Sequence, residues 1–113
     1  MKKDIIKFTY NWNGKLTNKV FTTLRLHNPK KYIIGNGYQI ELKGEIIGNA
    51  NMIGKHVITL DRLTDYVCYM DTGYSKAETL TIIQRMYKHI DLKTARFDLC
   101  ILQAHKPKPT KKK

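Results

Sequence analysis

The sequence predicts an α+β domain: a small mixed or antiparallel β-barrel with two flanking helices. Three observations carry this reading. Short alternating runs separated by glycine-containing turns fill the first 60 residues, two helical patterns occupy residues 61–90, and one more alternating run closes the fold at 96–104.

From Ile5 to Tyr10, Ile6, Phe8 and Tyr10 alternate with Ile5, Lys7 and Thr9, the pattern of a half-buried strand. Asn11-Trp12-Asn13-Gly14 supplies turn chemistry, and Leu16 to Leu26, rich in β-branched and aromatic residues, predicts a second strand. His27-Asn28-Pro29-Lys30-Lys31 breaks it. Gly35-Asn36-Gly37 is a turn signal before an alternating run from Tyr38 to Leu42. Glu45 to Ile53 and His56 to Leu60 read as two further strands, and the glycines between such short runs suggest a strongly bent sheet or barrel.

At Asp61 the period changes. Asp61 to Met70 predicts a short helix with Asp61 as its N-cap, ended by Asp71-Thr72-Gly73-Tyr74. Ser75-Lys76-Ala77-Glu78 is a capping box, in which the hydroxyl accepts from the amide three residues on and the carboxylate reaches back. A helix to about His89 follows, with Ala77, Leu80, Ile83, Tyr87 and Ile90 along its apolar stripe. Arg96 to Ala104 is apolar on both faces beyond Asp98, as in a central strand. Residues 1–104 are therefore expected to form one domain and 105–113 a disordered Lys/Pro tail.

No apolar run approaches a membrane span and no signal-peptide core follows Met1, so a soluble, cytoplasmic protein is expected, with no membrane partner. Cys68 and Cys100 stand at no metal spacing and read as buried thiols; His27, His56, His89 and His105 are scattered. No metal and no cofactor is expected.

The formal charge of +12 is unevenly placed. Residues 1–40 carry +7, 41–80 carry −2, 81–105 carry +2 and the tail carries five lysines. This asymmetry favours a polyanionic partner, although a codon bias toward Lys, Asn and Ile would give a similar excess. Seventeen of the 21 basic residues are lysine, a point charge suited to phosphate, so RNA or another single-stranded nucleic acid is expected rather than sequence-specific duplex readout. Lys15, Lys19, Lys30 and Lys31, spaced around adjacent turns, are candidates for one phosphate-binding patch. Trp12, in a polar loop, either stacks on an unpaired base or lids the barrel end; Tyr32 and Tyr38 are weaker stacking candidates.

Three stretches carry a further signal: Gly14-Lys15-Leu16-Thr17-Asn18-Lys19-Val20-Phe21-Thr22-Thr23-Leu24-Arg25, Tyr32 through Gly37 before a strand, and Asp71-Thr72-Gly73-Tyr74-Ser75-Lys76-Ala77-Glu78. In order and spacing they resemble the G-x-K-T-x-T-x-R stretch, the turn before the strand and the D-G-[FY]-[ST]-x-x-E helix entry of ASCH domains, small members of the PUA-like superfamily, across roughly residues 5–104. The resemblance implies a PUA-like barrel whose cleft engages RNA or a modified nucleoside. Some members of the family are hydrolases that remove an acyl group from a modified cytidine, and others cut RNA. In the hydrolase-like members a lysine, a threonine two residues before the arginine and a glutamate before the second helix form the site. Thr23 and Arg25 match that pattern; the lysine position falls on Val20, beside Lys19, and the glutamate position on Thr72, beside Asp71.

Candidate catalytic residues are thus Thr23, Lys19 and Asp71, with Lys19, Thr23 and Arg25 of equal parity along a strand. Candidate nucleic-acid contacts are Lys15, Lys19, Arg25, Lys30, Lys31, Trp12 and Tyr32, with Arg25 alternatively pairing with Asp71 at the barrel mouth. The departures from the pattern make an RNA-binding module the leading expectation. An amidohydrolase acting on an N4-acetylcytidine-like nucleoside, or a ribonuclease, is the alternative.

Overall fold

A computed structural model describes residues 4–9 and 11–105, the side chains of Trp12 and Asn13 excepted. Five strands form one sheet: β1 (Asp4–Phe8), β2 (Val20–Leu26), β3 (Gly37–Leu42), β4 (Glu45–Thr59) and β5 (Arg96–Ala104). Their spatial order is β1-β3-β4-β5-β2, with β1 parallel to β3 and every other pairing antiparallel. The sheet is mixed and curled, but β1 and β2 are both edges, so it is a half-barrel with an open seam rather than a closed barrel.

Alternation sorts the side chains into two cores. Inside the curl lie Ile6, Phe8, Phe21, Tyr38, Ile40, Ala50, Met52, Cys100 and Leu102. On the other face Phe97 packs with Leu60, Leu63, Cys68 and Ile83 beneath two helices, α1 (Asp65–Thr72) and α2 (Lys76–Met86). β5, flanked by β4 and β2, contributes to both cores, as expected of a central strand, and its bounds are those the sequence predicts. Tyr87 meets Phe97 edge-on at 5.7 Å between centroids, tying the end of α2 to the sheet; such a pair adds about 0.5–1.5 kcal/mol beyond its burial.

Four expectations need correction. The run from Leu16 is not strand throughout: Trp12–Thr17 is a 3-10 helix and β2 begins at Val20. Gly14, at φ +61°, turns the chain there, and the Asn11 side-chain oxygen accepts from the Leu16 amide. Residues 45–60 hold one long strand rather than two. A bulge between Met52 and Gly54 absorbs the apparent break, and Gly54 passes so close to Ile101 that an added Cβ would lie 3.1 Å from its Cδ1.

The first helix starts at Asp65 with Thr64, not Asp61, as its cap: the Thr64 hydroxyl accepts from the Val67 amide, while Asp61 accepts from the Thr59 hydroxyl. The second helix ends at Met86, three residues early, although its Ser75–Glu78 capping box is fully formed. Of the expected tail, 105–113, His105 is described and its amide donates to the Asn49 carbonyl at 2.9 Å, while 106–113 lie outside the described residues. No described helix is long and apolar enough to cross a membrane.

Candidate functional site

The open seam is the place where chemistry collects. Across it the Phe8 ring of β1 meets the Phe21 ring of β2 edge-on at 6.3 Å, and the Arg25 guanidinium lies over Phe8 at 4.5 Å from its centroid. Between the two edges and α2 opens a cavity of about 240 Å³, just below the ~300–1,000 Å³ of ordinary small-molecule sites. Lys7 and Phe8 line it from β1, Thr23 and Arg25 from β2, and Asp71 and Thr72 from the last turn of α1. The wall from α2 is mainly apolar, built by Ile82, Ile83 and Met86 with Tyr87 just beyond the helix.

A buried ion pair forms one side. The Lys15 ammonium donates to Asp71 Oδ1 at 2.9 Å, and the Thr22 hydroxyl donates to the same oxygen at 2.8 Å. Lys15 is 3% exposed and Asp71 6%. Local structure explains the meeting. The 3-10 helix folds Lys15 back toward α1, and Gly73, at φ +83°, closes α1 one residue after Thr72, so that the Asp71 carboxylate is presented at a helix end. Burial pushes the Lys15 pKa down, and its partner Asp71 offsets part of that effect. Lys15 also lies 5.5 Å from the Phe8 centroid, so both cations flank one ring.

Threonines continue the polar side. Arg25 Nε donates to Thr23 Oγ1 at 2.9 Å, and the Thr72 and Thr79 hydroxyls are 2.9 Å apart. Thr79 is 2% exposed and sits within the buried side of α2. The arrangement therefore offers an ammonium donor, a carboxylate acceptor and several hydroxyls facing an aromatic and aliphatic wall. It can bind a flat polar group while sheltering it from water. Among the described residues, no three His, Cys, Asp or Glu side chains gather as a metal would require.

The sequence-based candidates divide accordingly. Thr23, Arg25, Asp71 and Lys15 converge on the cavity. Lys19 does not: it shares the parity of Thr23 but precedes β2 at its far end, exposed beside a different depression. Arg25 does not pair with Asp71, since Lys15 occupies that carboxylate and Arg25 bonds Thr23.

Lys30 and Lys31 lie in the loop before β3, outside the cavity lining, with Lys31 5.7 Å over the Tyr32 ring. Tyr32 is only 7% exposed and Tyr38 is fully buried, its hydroxyl donating to the Lys31 carbonyl, so both serve the core. The Trp12 side chain lies outside the described residues. Lys7, Phe8, Thr79, Ile82 and Met86 were not singled out as site residues by sequence; Thr72 entered only as the residue at the glutamate position, and Ile83 and Tyr87 only as part of an apolar helix stripe.

The fold and site together define an α+β half-barrel with a charged pocket in its seam. No protein-family model matches the chain, and no curated protein matches it.

Proposed function

We propose that the chain is an RNA-binding module of the ASCH, PUA-like type, which takes one unpaired nucleotide into the seam pocket. The observation that carries the reading is the convergence of Lys15, Thr23, Arg25 and Asp71 on one cavity, with Lys7 exposed at its rim. The base would enter between the polar side and the wall of α2, hydrogen-bonding to Lys15, Asp71 and the threonines, while Arg25 and Lys7 meet the phosphates. A cavity of about 240 Å³ suits a single base better than a folded ligand, and the charge of the first 40 residues, +7, supplies the long-range attraction.

The test is fluorescence anisotropy with single-stranded RNA at rising salt. Binding should weaken steeply with salt, duplex RNA should bind less well, and Arg25→Ala should reduce affinity about tenfold, within the ~1–3 kcal/mol that a stacking or charged interaction supplies. Absence of binding at low salt, or indifference to Arg25→Ala, overturns the reading.

One observation favours a second reading, a hydrolase acting on an acylated nucleoside such as N4-acetylcytidine, or on RNA. Lys15, Thr23 and Asp71 line one cavity, a hydroxyl beside a lysine and a carboxylate, and burial lowers the Lys15 pKa, the direction in which a proton acceptor for a hydroxyl nucleophile is tuned. Release of acetate from N4-acetylcytidine, abolished in Thr23→Ala, would select this reading over simple binding.

A further inference from the structure

At the opposite end of β2 lies a second depression, of about 220 Å³, that the seam site does not use. It is the open end of the half-barrel. Leu16, Phe21, Ile40 and Ala104, all part of or packed against the inner core, form its floor. Asn18, Lys19, Asn49 and His105 form its rim, and no carboxylate lines it. Two backbone bonds fix the segments that carry the rim: the Ala104 amide donates to the Lys19 carbonyl at 2.7 Å, and the His105 amide to the Asn49 carbonyl at 2.9 Å.

Gly48 keeps this end open. It pairs with Ile40 and shares the inward parity of Ala50 and Met52, yet a Cβ built on it would meet nothing within 4 Å, and its φ is one that any residue can adopt. Backbone conformation therefore does not demand glycine there, and what a side chain would take up is the depression itself. The rim chemistry matches a nucleotide. Each carboxamide offers a donor and an acceptor to a base edge, Lys19 offers a cation to phosphate, and the apolar floor offers a surface for a base face.

We propose that this open end is a second nucleotide subsite, occupied by a base of the same RNA strand a few nucleotides from the one that enters the seam pocket. The inference rests on the RNA-binding reading given above. Lys19 and Thr23 are four residues apart along one strand direction, about 13 Å at ~3.3 Å per residue. A stacked strand advancing ~3.4 Å per nucleotide covers that gap in about four steps, and a splayed one in fewer. The strand would run over the 3-10 helix Trp12–Thr17, which separates the two sites, with Lys15 facing one and Leu16 and Thr17 the other.

The experiment measures affinity of the full chain for single-stranded RNA of increasing length, from dinucleotide to octanucleotide, in the wild type, Gly48→Leu, Lys19→Ala and Arg25→Ala. Wild-type affinity should rise about tenfold once the oligomer spans both sites, the worth of roughly one stacked base. Gly48→Leu should abolish that rise and leave dinucleotide affinity unchanged. Lys19→Ala, at an exposed position where the fold has little at stake, should reduce it. A rise that survives both variants overturns the second subsite while leaving the seam reading intact. Long-oligomer binding that disappears in Gly48→Leu but is indifferent to Arg25→Ala overturns the seam reading instead.

Discussion

Lys15 and Asp71 are a buried pair whose net worth to folding is small while the worth of either partner to the other is large. Each charge leaves water to reach the pocket, and the attraction between them, with the Thr22 hydroxyl on the same oxygen, offsets that loss. Asp71→Ala removes the compensation and leaves the ammonium and the hydroxyl unpartnered. The expected loss is about 3–5 kcal/mol of stability by urea unfolding near neutral pH.

The loss should shrink as the solution becomes more alkaline. A lysine whose folded pKa lies below its ordinary 10.5 binds fewer protons folded than unfolded, so stability rises with pH across that interval, and removing Asp71 widens the interval. Replacing both partners with apolar residues of similar volume, Lys15→Met with Asp71→Leu, should recover most of the stability and still abolish RNA binding. Recovery of both would mean that the pair holds the fold and does not touch the ligand.

At the scale of elements, the site depends on how α1 stops and α2 starts. Gly73 ends α1 in a left-handed turn, and the Ser75–Glu78 box begins α2 two residues later, so that Asp71, Thr72 and Thr79 arrive from two helices on one side of the pocket. Ser75→Ala should cost about 1 kcal/mol, read as a lower thermal midpoint, with RNA affinity nearly unchanged because Ser75 does not line the cavity. A large drop in affinity would show that the helix entry sets the site geometry more tightly than its stability alone.

Elements governed by local chemistry were legible in the sequence: the capping box, and β5 with its two apolar faces. The 3-10 helix was not, because the Asn11 side chain and the pairing of Lys15 with α1, 56 residues away, hold it, and neither leaves a periodic trace. That helix is also why the lysine of the site is Lys15 and not Lys19. Parity along a strand says which face a residue takes, but Lys19 stands before β2 and at its far end. Thr23, Arg25 and Asp71 were legible as candidates; that they meet at an unpaired seam follows from the strand order, which no single segment encodes.

On the scale of the whole molecule, the charge has two locations with different consequences. The first 40 residues contribute +7 and supply Lys7, Lys15 and Arg25 to the seam and Lys19 to the open end, whereas residues 106–113 contribute five lysines and no acidic group. If the described sites select an unpaired strand, the terminal lysines add sequence-independent attraction to its phosphates and nothing to the choice of strand. Truncation after His105 should therefore weaken single-stranded RNA binding without abolishing it. It should also make the dependence of log affinity on log salt shallower, by about 0.7 for each phosphate no longer neutralised and so by at most about 3.5 for five lysines. The preference for single strands over duplex should survive, because the seam pocket and the open barrel end remain. Complete loss of binding at every salt concentration would instead make the terminal lysines the principal point of attachment, as expected of a tether that docks on an acidic partner, and would leave the seam pocket without a part in RNA recognition.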